Sequence, residues 1–312
     1  MMKVAFFTEA GKKRGMGHLI RSHTIAQKFK DNLCEVDFFL DSDINFSYKI
    51  NDLKSFTWNI FNVQKKYDVI FIDSYEATLN NYQEAANNSK VTVYLDDENR
   101  LNYPKGVIIN FAPDANEEFF QSKKEDTTYL LGLDYIPIRK KFMLTSKGKR
   151  ENIFIMIGGT DTQSVSYEIL DLLQDIDIQK TIVTNNAKSK KELEKSKKTK
   201  VLFKPSDKEL IDAMFTCSLA ITTASMTLYE LAYLQIPTIT LSVNQNQNNG
   251  AKQSIKHNLA KSNIPLDDKN WKSKLHQEAI ASIQSQNDFQ VNNQIDGLGT
   301  QRIYDCISRL VK

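Results

Sequence analysis

The sequence of 312 residues is poor in the residue types that mark several classes of protein. Its three cysteines, Cys34, Cys217 and Cys306, lie far apart without a C-x-x-C pair, so neither a disulfide framework nor a zinc knuckle is indicated, and a reducing compartment fits best. No hydrophobic run approaches the ~18 residues of a membrane span, and the opening run is too short for a signal peptide. We therefore expect a soluble, cytoplasmic protein with no integral membrane segment.

The sequence also lacks a strong excess of charge of either sign. Lys and Arg number 41 against 38 Asp and Glu, a net charge of +3, which is too small for the field that non-specific nucleic-acid binding requires. With only 11 Gly and 6 Pro, the chain is neither collagen-like nor of low complexity. Hydrophobic residues make up 41% of the chain, enough for two ordinary cores at ~100–200 residues per domain.

Short β-rich apolar runs alternate with helical patterns along the chain, which is typical of βα units that form a mostly parallel sheet. We predict an α/β protein of two Rossmann-like, doubly wound domains facing across a cleft where ligands bind. A polar, aperiodic segment at 144–152 places the boundary between residues 148 and 149, giving domains 1–148 and 149–312. The predicted strands are Val4–Thr8, Val36–Leu40, Val69–Asp73, Val91–Leu95, Val107–Asn110, Ile153–Ile157, Thr181–Thr184, Val201–Phe203, Leu219–Thr222 and Thr238–Leu241.

A glycine-lined turn, Gly15-Met16-Gly17, follows the first predicted strand and places His18 at the start of a helix. Position 20 is Ile, so the dinucleotide fingerprint G-x-G-x-x-G fails, and no Gly-Lys-Ser/Thr follows to make a P-loop. The positive end of the helix dipole disfavours an imidazolium, which suits a proton acceptor. His18 is therefore a candidate general base, the alternative being that it only caps the helix.

Acidic clusters follow two further predicted strands, at the same sheet edge as His18. They are Asp73-Ser74-Tyr75 and Asp96-Asp97-Glu98. Such acids can orient a base, hold a metal or simply end a strand. Asp41-Ser42-Asp43 resembles the D-x-D of metal-dependent nucleotide-sugar transferases, but a three-residue match is weak, and we expect no metal site.

The second half carries turns suited to anions. Gly158-Gly159-Thr160 ends a strand and opens a helix, where backbone N–H groups can bind a phosphate. Ser225-Met226 begins a later helix, and Glu230, one turn inside it, can reach a ribose diol. Asn246-Gln247 offers neutral amides to a polar ligand. The alternative for Ser225 and Glu230 is an ordinary capped helix. We expect a nucleotide in the second domain and the chemistry in the first.

In order along nearly the whole chain, these motifs resemble the UDP-sugar hydrolases of pseudaminic acid biosynthesis. The matching residues are Gly15-Met16-Gly17-His18, Arg21, Asp73-Ser74-Tyr75, Asp96-Asp97-Glu98, Gly158-Gly159-Thr160, Ser225 to Glu230, and Asn246-Gln247. That family cleaves UDP-2,4-diacetamido-2,4,6-trideoxy-β-L-altropyranose into the free sugar and UDP. It is similar in turn to the GT-B glycosyltransferase that makes lipid II.

The resemblance implies a GT-B fold and a cofactor-free, metal-independent attack of water at the anomeric carbon with inversion. His18 then matches the catalytic histidine and Tyr75 the active-site tyrosine, Glu230 matches the acid that binds the uridine ribose, and Asn246 matches the asparagine of an Asn-Gln pair. That pair occurs twice, starting at 244 and at 246, so its register is open by two residues. The family also implies that the last helix can cross back to the first domain.

Two other functions remain open at this stage. A GT-B glycosyltransferase would use the same groups with an acceptor hydroxyl in place of water, and an exposed apolar patch on the first domain would favour it. A non-catalytic nucleotide-sugar binding module would have no use for His18. The oligomeric state is open, with a monomer as one interpretation.

Overall fold

The computed structural model describes residues 1–12, 14–44, 50–116, 126–144, 149–158, 165–242, 247–284 and 289–312. By their contacts these residues form two compact units. The N-terminal unit comprises Met1–Arg139 and Asp296–Lys312, and the C-terminal unit comprises Lys140–Ile295. In the described part of the chain, no helix combines the length and the apolar character needed to cross a bilayer.

The N-terminal unit is built on a seven-stranded parallel sheet of order β3-β2-β1-β4-β5-β6-β7. Three helices, α1 (Gly17–Asp31), α2 (Leu79–Asn87) and α10 (Gly299–Val311), belong to it. Two short 3-10 turns also occur, at Trp58–Ile60 and Leu133–Tyr135. The strands are β1 (Lys3–Ala10), β2 (Glu35–Ser42), β3 (Leu53–Ser55), β4 (Tyr67–Asp73), β5 (Ser89–Leu95), β6 (Val107–Asn110) and β7 (Thr128–Leu131).

Apolar side chains cover both faces of this sheet, which explains why its central strands read as continuous hydrophobic runs. On one face Phe6 of β1 stacks on Phe71 of β4 at 4.3 Å between ring centroids, with Phe29 of α1 edge-on at 6.1 Å. On the other face Ala5 and Phe7 pack in a second cluster that includes Trp58, Ile70, Ile72, Tyr82 and Tyr94. The alternation of side chains along β1 therefore directs Glu9 to the same face as Phe7.

The C-terminal unit is built on a six-stranded parallel sheet of order β10-β9-β8-β11-β12-β13. Buried aliphatic residues of the strands, such as Ile155 and Ile221, pack against helix residues such as Ile169 and Leu275. The strands are β8 (Asn152–Met156), β9 (Gln179–Thr184), β10 (Thr199–Phe203), β11 (Cys217–Thr222), β12 (Thr238–Ser242) and β13 (Ser262–Pro265). The helices are α3 (Lys140–Leu144), α4 (Val165–Leu172), α5 (Ala187–Leu193), α6 (Asp207–Phe215), α7 (Met226–Tyr233), α8 (Gln247–Lys256) and α9 (Trp271–Gln284).

Both sheets reverse their strand order at one point. In the N-terminal unit the chain runs outward through β2 and β3 on one side of β1 and through β4 to β7 on the other. In the C-terminal unit the same reversal falls between β8 and β11. Ligands of open α/β sheets bind at the carboxyl ends of the strands beside such a reversal. A ligand site is therefore expected at the loops that follow β1, β4, β8 and β11.

The division of the chain differs from the boundary predicted at 148/149. Contacts assign α3 to the C-terminal unit, where the Phe142 ring stacks on Phe215 at 6.3 Å. The last helix packs in the N-terminal unit: Tyr304 meets Phe29 of α1 edge-on at 5.2 Å, and Arg302 donates to the carbonyl of Asp134 at 2.9 Å. The boundary therefore lies at 139/140, before the predicted 148/149, because Phe142 packs with the C-terminal unit. A polar segment shows where a chain is exposed, but not where its contacts pass from one unit to the other.

Candidate active site

The loop between β1 and α1 brings His18 to the strand-order reversal of the N-terminal sheet. Gly11 and Gly15 exchange backbone hydrogen bonds of 3.0 and 2.7 Å, and Gly15 has φ of +70°, a conformation that favours glycine. Gly17 begins α1, so His18 is the second residue of the helix. The His18 side chain is 6% exposed and lies beside the end of β4.

Asp73, the last residue of β4, is the centre of a buried hydrogen-bond network. Its Oδ1 lies 2.5 Å from Nδ1 of His18 and accepts from Nη2 of Arg21 at 2.6 Å. Its Oδ2 accepts from Nε of Arg21 at 2.8 Å and from the hydroxyl of Ser22 at 2.9 Å. Three residues on one face of the first turns of α1 thus converge on one carboxylate, as the helical spacing of 18, 21 and 22 allows.

The charges in this network stabilise one another. Burial alone would raise the pKa of Asp73, but the charge of Arg21 and the hydrogen bonds from Arg21 and His18 hold it well below its usual range. Burial lowers the pKa of the Arg21 guanidinium, whereas the charges of Asp73 and Asp97 raise it above its ordinary value. Asp73 is therefore a carboxylate and Arg21 a cation across the range of pH in which proteins work.

The ionised Asp73 determines the tautomer of His18. A carboxylate only accepts hydrogen bonds, so Nδ1 of His18 carries the proton and donates it to Asp73. Nη2 of Arg21 lies 3.2 Å from the same nitrogen but 2.6 Å from Oδ1 of Asp73, and the shorter hydrogen bond joins two charged groups. The lone pair is consequently on Nε2, the ring nitrogen turned away from the network. An orienting carboxylate on one nitrogen and a free lone pair on the other is the arrangement of a general base.

Tyr75 and Asp97 complete the group beside His18. The Tyr75 ring meets the His18 ring edge-on at 4.5 Å, and its hydroxyl donates to Oδ2 of Asp97 at 3.3 Å. The same oxygen accepts from Nη1 of Arg21 at 2.6 Å. Burial, followed by the charge of Asp97, raises the pKa of Tyr75 above its ordinary value, so the phenol keeps its proton at neutral pH. Tyr75 is 42% exposed and can meet a ligand.

Two residues that the sequence analysis did not single out, Glu9 and Arg100, bind the segment that carries Tyr75. Glu9, at 0% exposure, accepts from the hydroxyl of Ser74, from the indole Nε1 of Trp58 at 2.8 Å and from the backbone N–H of Tyr75 at 3.0 Å. Arg100 donates to the carbonyl of Ser74 at 3.2 Å. The one sequence signal for Glu9 is an acid at the end of an otherwise apolar strand.

Other acids in this region have local structural partners. Asp96 accepts from the backbone N–H groups of Glu98 and Arg100, and burial raises its pKa. Asp41 accepts from Arg14 at 3.3 Å and from the backbone N–H of Trp58 at 3.1 Å. Across the described ranges, no three His, Cys, Asp or Glu side chains are grouped so that they could hold a metal ion.

The C-terminal unit places its candidate residues beside its own strand-order reversal. Gly158, two residues after β8, has φ of +67°. Ser225 is the N-cap residue of α7, Met226 begins that helix, and the hydroxyl of Thr227 contacts Sδ of Met156 at 3.9 Å, which ties α7 to β8. Glu230 is 3% exposed in the second turn of α7. Since β8 and β11 are hydrogen-bonded neighbours, Gly158 and Ser225 follow adjacent strands of the sheet.

Part of the predicted nucleotide site is not covered by the described ranges. Gly159, Thr160 and Asn246 lie outside the described residues. Gln247 is the first residue of α8, and its side chain also lies outside them. The structure thus brings together His18, Arg21, Tyr75 and Asp97 in one unit, and Gly158, Ser225, Met226 and Glu230 along one sheet edge of the other.

Comparison with known protein sequences gives distant relatives, and no family model matches the chain. An uncharacterized protein of Methanocaldococcus jannaschii is 28% identical over 284 residues, covering 79% of this chain and 57% of that protein. The pseudaminic acid cytidylyltransferase and UDP-2,4-diacetamido-2,4,6-trideoxy-beta-L-altropyranose hydrolase of Helicobacter pylori is 24% identical, covering 79% and 45%. The spore coat polysaccharide biosynthesis protein SpsG of Bacillus subtilis is 23% identical, covering 80% of each chain. This chain thus spans about half the length of the first two relatives.

Comparison with solved structures shows the fold. MurG of Acinetobacter baumannii matches with a TM-score of 0.63 at 11% identity, covering 99% of this chain and 100% of that one. The UDP-GlcNAc 2-epimerase of Methanocaldococcus jannaschii, solved with UDP-GlcNAc and UDP, matches with a TM-score of 0.63 at 12% identity and the same coverage. The predicted α/β class is confirmed: the chain has the GT-B fold, with one parallel-sheet unit of seven strands and one of six.

Proposed function

We propose that this chain is an enzyme that acts on a UDP-sugar, and specifically a hydrolase that releases UDP from UDP-2,4-diacetamido-2,4,6-trideoxy-β-L-altropyranose. The observation that carries the proposal is the buried contact of 2.5 Å between Nδ1 of His18 and Asp73 at the strand-order reversal of the N-terminal sheet. It leaves Nε2 of His18 as a base. A binding module without chemistry has no need of this pair.

The choice of substrate is supported by the relatives. The Helicobacter pylori protein carries the hydrolase in its name, and a UDP complex is known for a structural neighbour with the same fold. In the C-terminal unit, the start of α7 offers N–H groups to a diphosphate, and Glu230 lies one turn further along for the ribose. Gly158, Gly159 and Thr160 supply the second anion-binding turn in this proposal.

In the proposed reaction, Nε2 of His18 takes a proton from water as the water oxygen bonds to the anomeric carbon. The bond from that carbon to the β-phosphate oxygen breaks on the opposite face, and UDP leaves with the electron pair, so the configuration inverts. Asp73 stabilises the imidazolium that forms on His18. Backbone N–H groups in the C-terminal unit offset the charge that develops on the phosphate.

Tyr75 has a separate role in this proposal. Its phenol lies beside His18 and donates its hydrogen to Asp97, so its oxygen can accept a hydrogen bond from the attacking water or from an acetamido N–H of the sugar. Arg21 binds both Asp73 and Asp97. Because Asp73 contacts His18 and Asp97 accepts from Tyr75, Arg21 also fixes the relative positions of His18 and Tyr75.

A glycosyltransferase is the second candidate, and one observation favours it. Ile60 and Leu79 are 79% and 45% exposed, and their segments meet where Nδ2 of Asn81 donates to the carbonyl of Trp58 at 3.3 Å. These side chains belong to the same unit as Tyr75, which is also exposed. Exposed apolar side chains on the unit that carries His18 are what an apolar acceptor would use.

Proton NMR of the purified protein with the UDP-linked diacetamido sugar, without an added acceptor, tests the proposal. Free sugar that first appears with the inverted anomeric configuration is the expected result. His18→Asn is expected to abolish this turnover while UDP still binds. A substrate that binds but stays intact in the wild-type sample would overturn the hydrolase and favour the transferase. Near wild-type turnover by His18→Asn would remove His18 from the role of base.

A further inference from the structure

The turn Ser74–Ala77, which carries Tyr75, has an unusually complete set of backbone partners. The hydroxyl of Ser74 accepts from the N–H groups of Glu76 and Ala77, each at 2.9 Å. Arg100 donates through Nη2 to the carbonyls of Ser74 at 3.2 Å and of Ala77 at 2.8 Å. A turn whose polar groups are satisfied in this way has one well-defined conformation.

Glu9 supplies the remaining contacts from the other side of the turn. Parallel pairing sets Thr8 of β1 against Asp73, the last residue of β4, so the residues that follow them, Glu9 and Ser74, come together. Oε1 of Glu9 accepts from the backbone N–H of Tyr75 at 3.0 Å, and Oε2 accepts from the Ser74 hydroxyl. This side chain contacts no atom of His18 or Asp73 in any hydrogen bond of the described network, so its effect on the site passes through the turn.

Trp58 completes the environment of the Glu9 carboxylate. Its indole Nε1 donates to Oε2 at 2.8 Å, so that oxygen accepts from both Trp58 and Ser74. Nη1 of Arg14 lies 3.9 Å from Oε2, beyond hydrogen-bond length. A carboxylate at 0% exposure is costly to bury, and three donors, two from the turn and one from Trp58, offset that cost.

We propose that Glu9 is a positioning residue, which fixes the backbone at Ser74 and Tyr75 so that the Tyr75 ring and hydroxyl meet the ligand beside His18. The inference rests on the proposed function only for its kinetic consequence. Its structural consequence, the position of Tyr75, does not depend on which ligand binds.

The substitution Glu9→Gln tests this with almost no change of shape. An amide has one accepting oxygen, while the wild-type carboxylate accepts through both. If the amide nitrogen replaces Oε1, it faces the N–H of Tyr75; if it replaces Oε2, it faces the N–H of Trp58. The first orientation leaves the N–H of Tyr75 without its acceptor, and the second leaves both the Trp58 N–H and the Ser74 hydroxyl without theirs. The turn must move to compensate in either case.

The readout is the ¹⁹F NMR signal of Tyr75 in protein labelled with 3-fluorotyrosine. The chain has 12 tyrosines, and Tyr75→Phe identifies the signal. We expect Glu9→Gln to shift or broaden this signal. The matched control is Glu84→Gln, which alters a carboxylate of the same unit that accepts a backbone N–H, from Val63 at 3.4 Å, but has no link to Tyr75. It is expected to leave the signal unchanged.

A second variant separates positioning from a general loss of structure. Removing the indole donor with Trp58→Phe lets the glutamine nitrogen occupy the Oε2 position while its oxygen still accepts from Tyr75. The Ser74 hydroxyl is then the one donor that lacks its acceptor, instead of two. Glu9→Gln/Trp58→Phe should therefore bring the Tyr75 signal part of the way back toward that of Trp58→Phe alone. This double variant is also the protein to measure should Glu9→Gln alone not fold. A Tyr75 signal that is the same in Glu9→Gln as in wild type, or that the double variant does not bring nearer to that of Trp58→Phe, would overturn the proposal.

Kinetics give an independent readout. If Glu9 acts through Tyr75, Glu9→Gln lowers kcat by about tenfold or more, and it adds little to the loss already caused by Tyr75→Phe. Fully additive losses would contradict positioning. Should the wild-type protein fail to turn over the UDP-sugar, the proposed hydrolase fails, but the ¹⁹F comparison still decides the role of Glu9.

Discussion

Nδ1 of His18 and Oδ1 of Asp73 lie 2.5 Å apart, with both side chains almost entirely buried. This contact determines which nitrogen of the ring is free to accept a proton. Arg21 binds both oxygens of the same carboxylate, so Asp73 is held in one orientation by its neighbours on α1.

Replacing Asp73 with Asn should abolish most of the activity without affecting UDP binding. An amide at this position no longer enforces the Nδ1–H tautomer or stabilises an imidazolium, and losses of about 10⁴-fold in kcat are typical when an orienting carboxylate is changed in this way. The loss of activity is measured as the rate at which UDP is released from the UDP-sugar. Asp68→Asn, at the start of the same strand, is the control and should stay within a few-fold of wild type. A loss of less than tenfold for Asp73→Asn would mean that His18 needs no orienting partner.

Glu230→Gln should weaken the binding of UDP, because a neutral amide replaces the carboxylate proposed to accept from the ribose hydroxyls. Hydrogen bonds to charged groups contribute about 1.5–3 kcal/mol, so an increase in Kd of about tenfold or more is expected. Titration calorimetry with UDP measures it. Glu192→Gln on α5, where the carboxylate pairs with Lys195, is the control and should leave Kd unchanged. Equal affinities for both variants would place the ribose elsewhere.

Gly299→Ala should destabilise the N-terminal unit. A Cβ at this first residue of α10 would overlap the carbonyl oxygen of Ile136 and come within 2.6 Å of the Tyr135 carbonyl carbon. Because backbone atoms cannot move aside cheaply, we expect a loss of about 1–3 kcal/mol in the free energy of unfolding. Gly250→Ala is the control, because its Cβ would meet nothing within 4 Å in the exposed start of α8.

Urea unfolding followed by tryptophan fluorescence measures this effect in the correct unit. The chain has two tryptophans, Trp58 in the N-terminal unit and Trp271 in the C-terminal one, so a Trp271→Phe background reports the N-terminal unit alone. A Gly299→Ala protein as stable as its parent would show that α10 can move away from Ile136 at no cost.

The stability of the N-terminal unit should depend on acid through Asp37. Burial opposes ionisation, but hydrogen bonds from Lys54, Lys65 and Tyr67 lower the pKa of Asp37 to about 2. A pKa below the ordinary value of about 3.9 means that this carboxylate stabilises the folded state above pH 4 and loses that effect as the pH falls toward 2. Asp37→Asn should therefore lose less unfolding free energy between pH 6 and pH 3 than wild type. Parallel losses, measured by Trp58 fluorescence, would contradict this.

The fold could be predicted from the sequence wherever strands are buried on both faces. Each of the ten predicted strands has a counterpart, since apolar runs such as Val69–Asp73 leave no other assignment. The three strands that were missed, β3, β7 and β13, lie at sheet edges and are short and largely half-exposed. A residue such as Lys54 or Pro265 can occupy an edge strand, so no periodicity marks it.

The site could be predicted only in part, for a related reason. His18, Tyr75 and Asp97 follow recognisable strand ends, and the carboxyl ends of parallel strands meet at one edge. Glu9 and Trp58, in contrast, are 49 residues apart in the sequence. They meet only because the segment that follows β3 packs against the face of the sheet to which β1 contributes Ala5 and Phe7. Contacts of this kind depend on the register of the sheet and on the path of a loop, neither of which a local pattern contains.

The return of α10 to the first unit has a consequence for how the chain is made. The C-terminal unit is one continuous stretch, Lys140–Ile295, whereas the N-terminal unit is complete only when residues 296–312 have left the ribosome. Domains usually finish folding in the order of their synthesis. In this protein the order is reversed for the last step, because the unit synthesised second can finish folding first. Until α10 is synthesised, the side of α1 that packs against it, including the face of Phe29 that contacts Tyr304, stays uncovered.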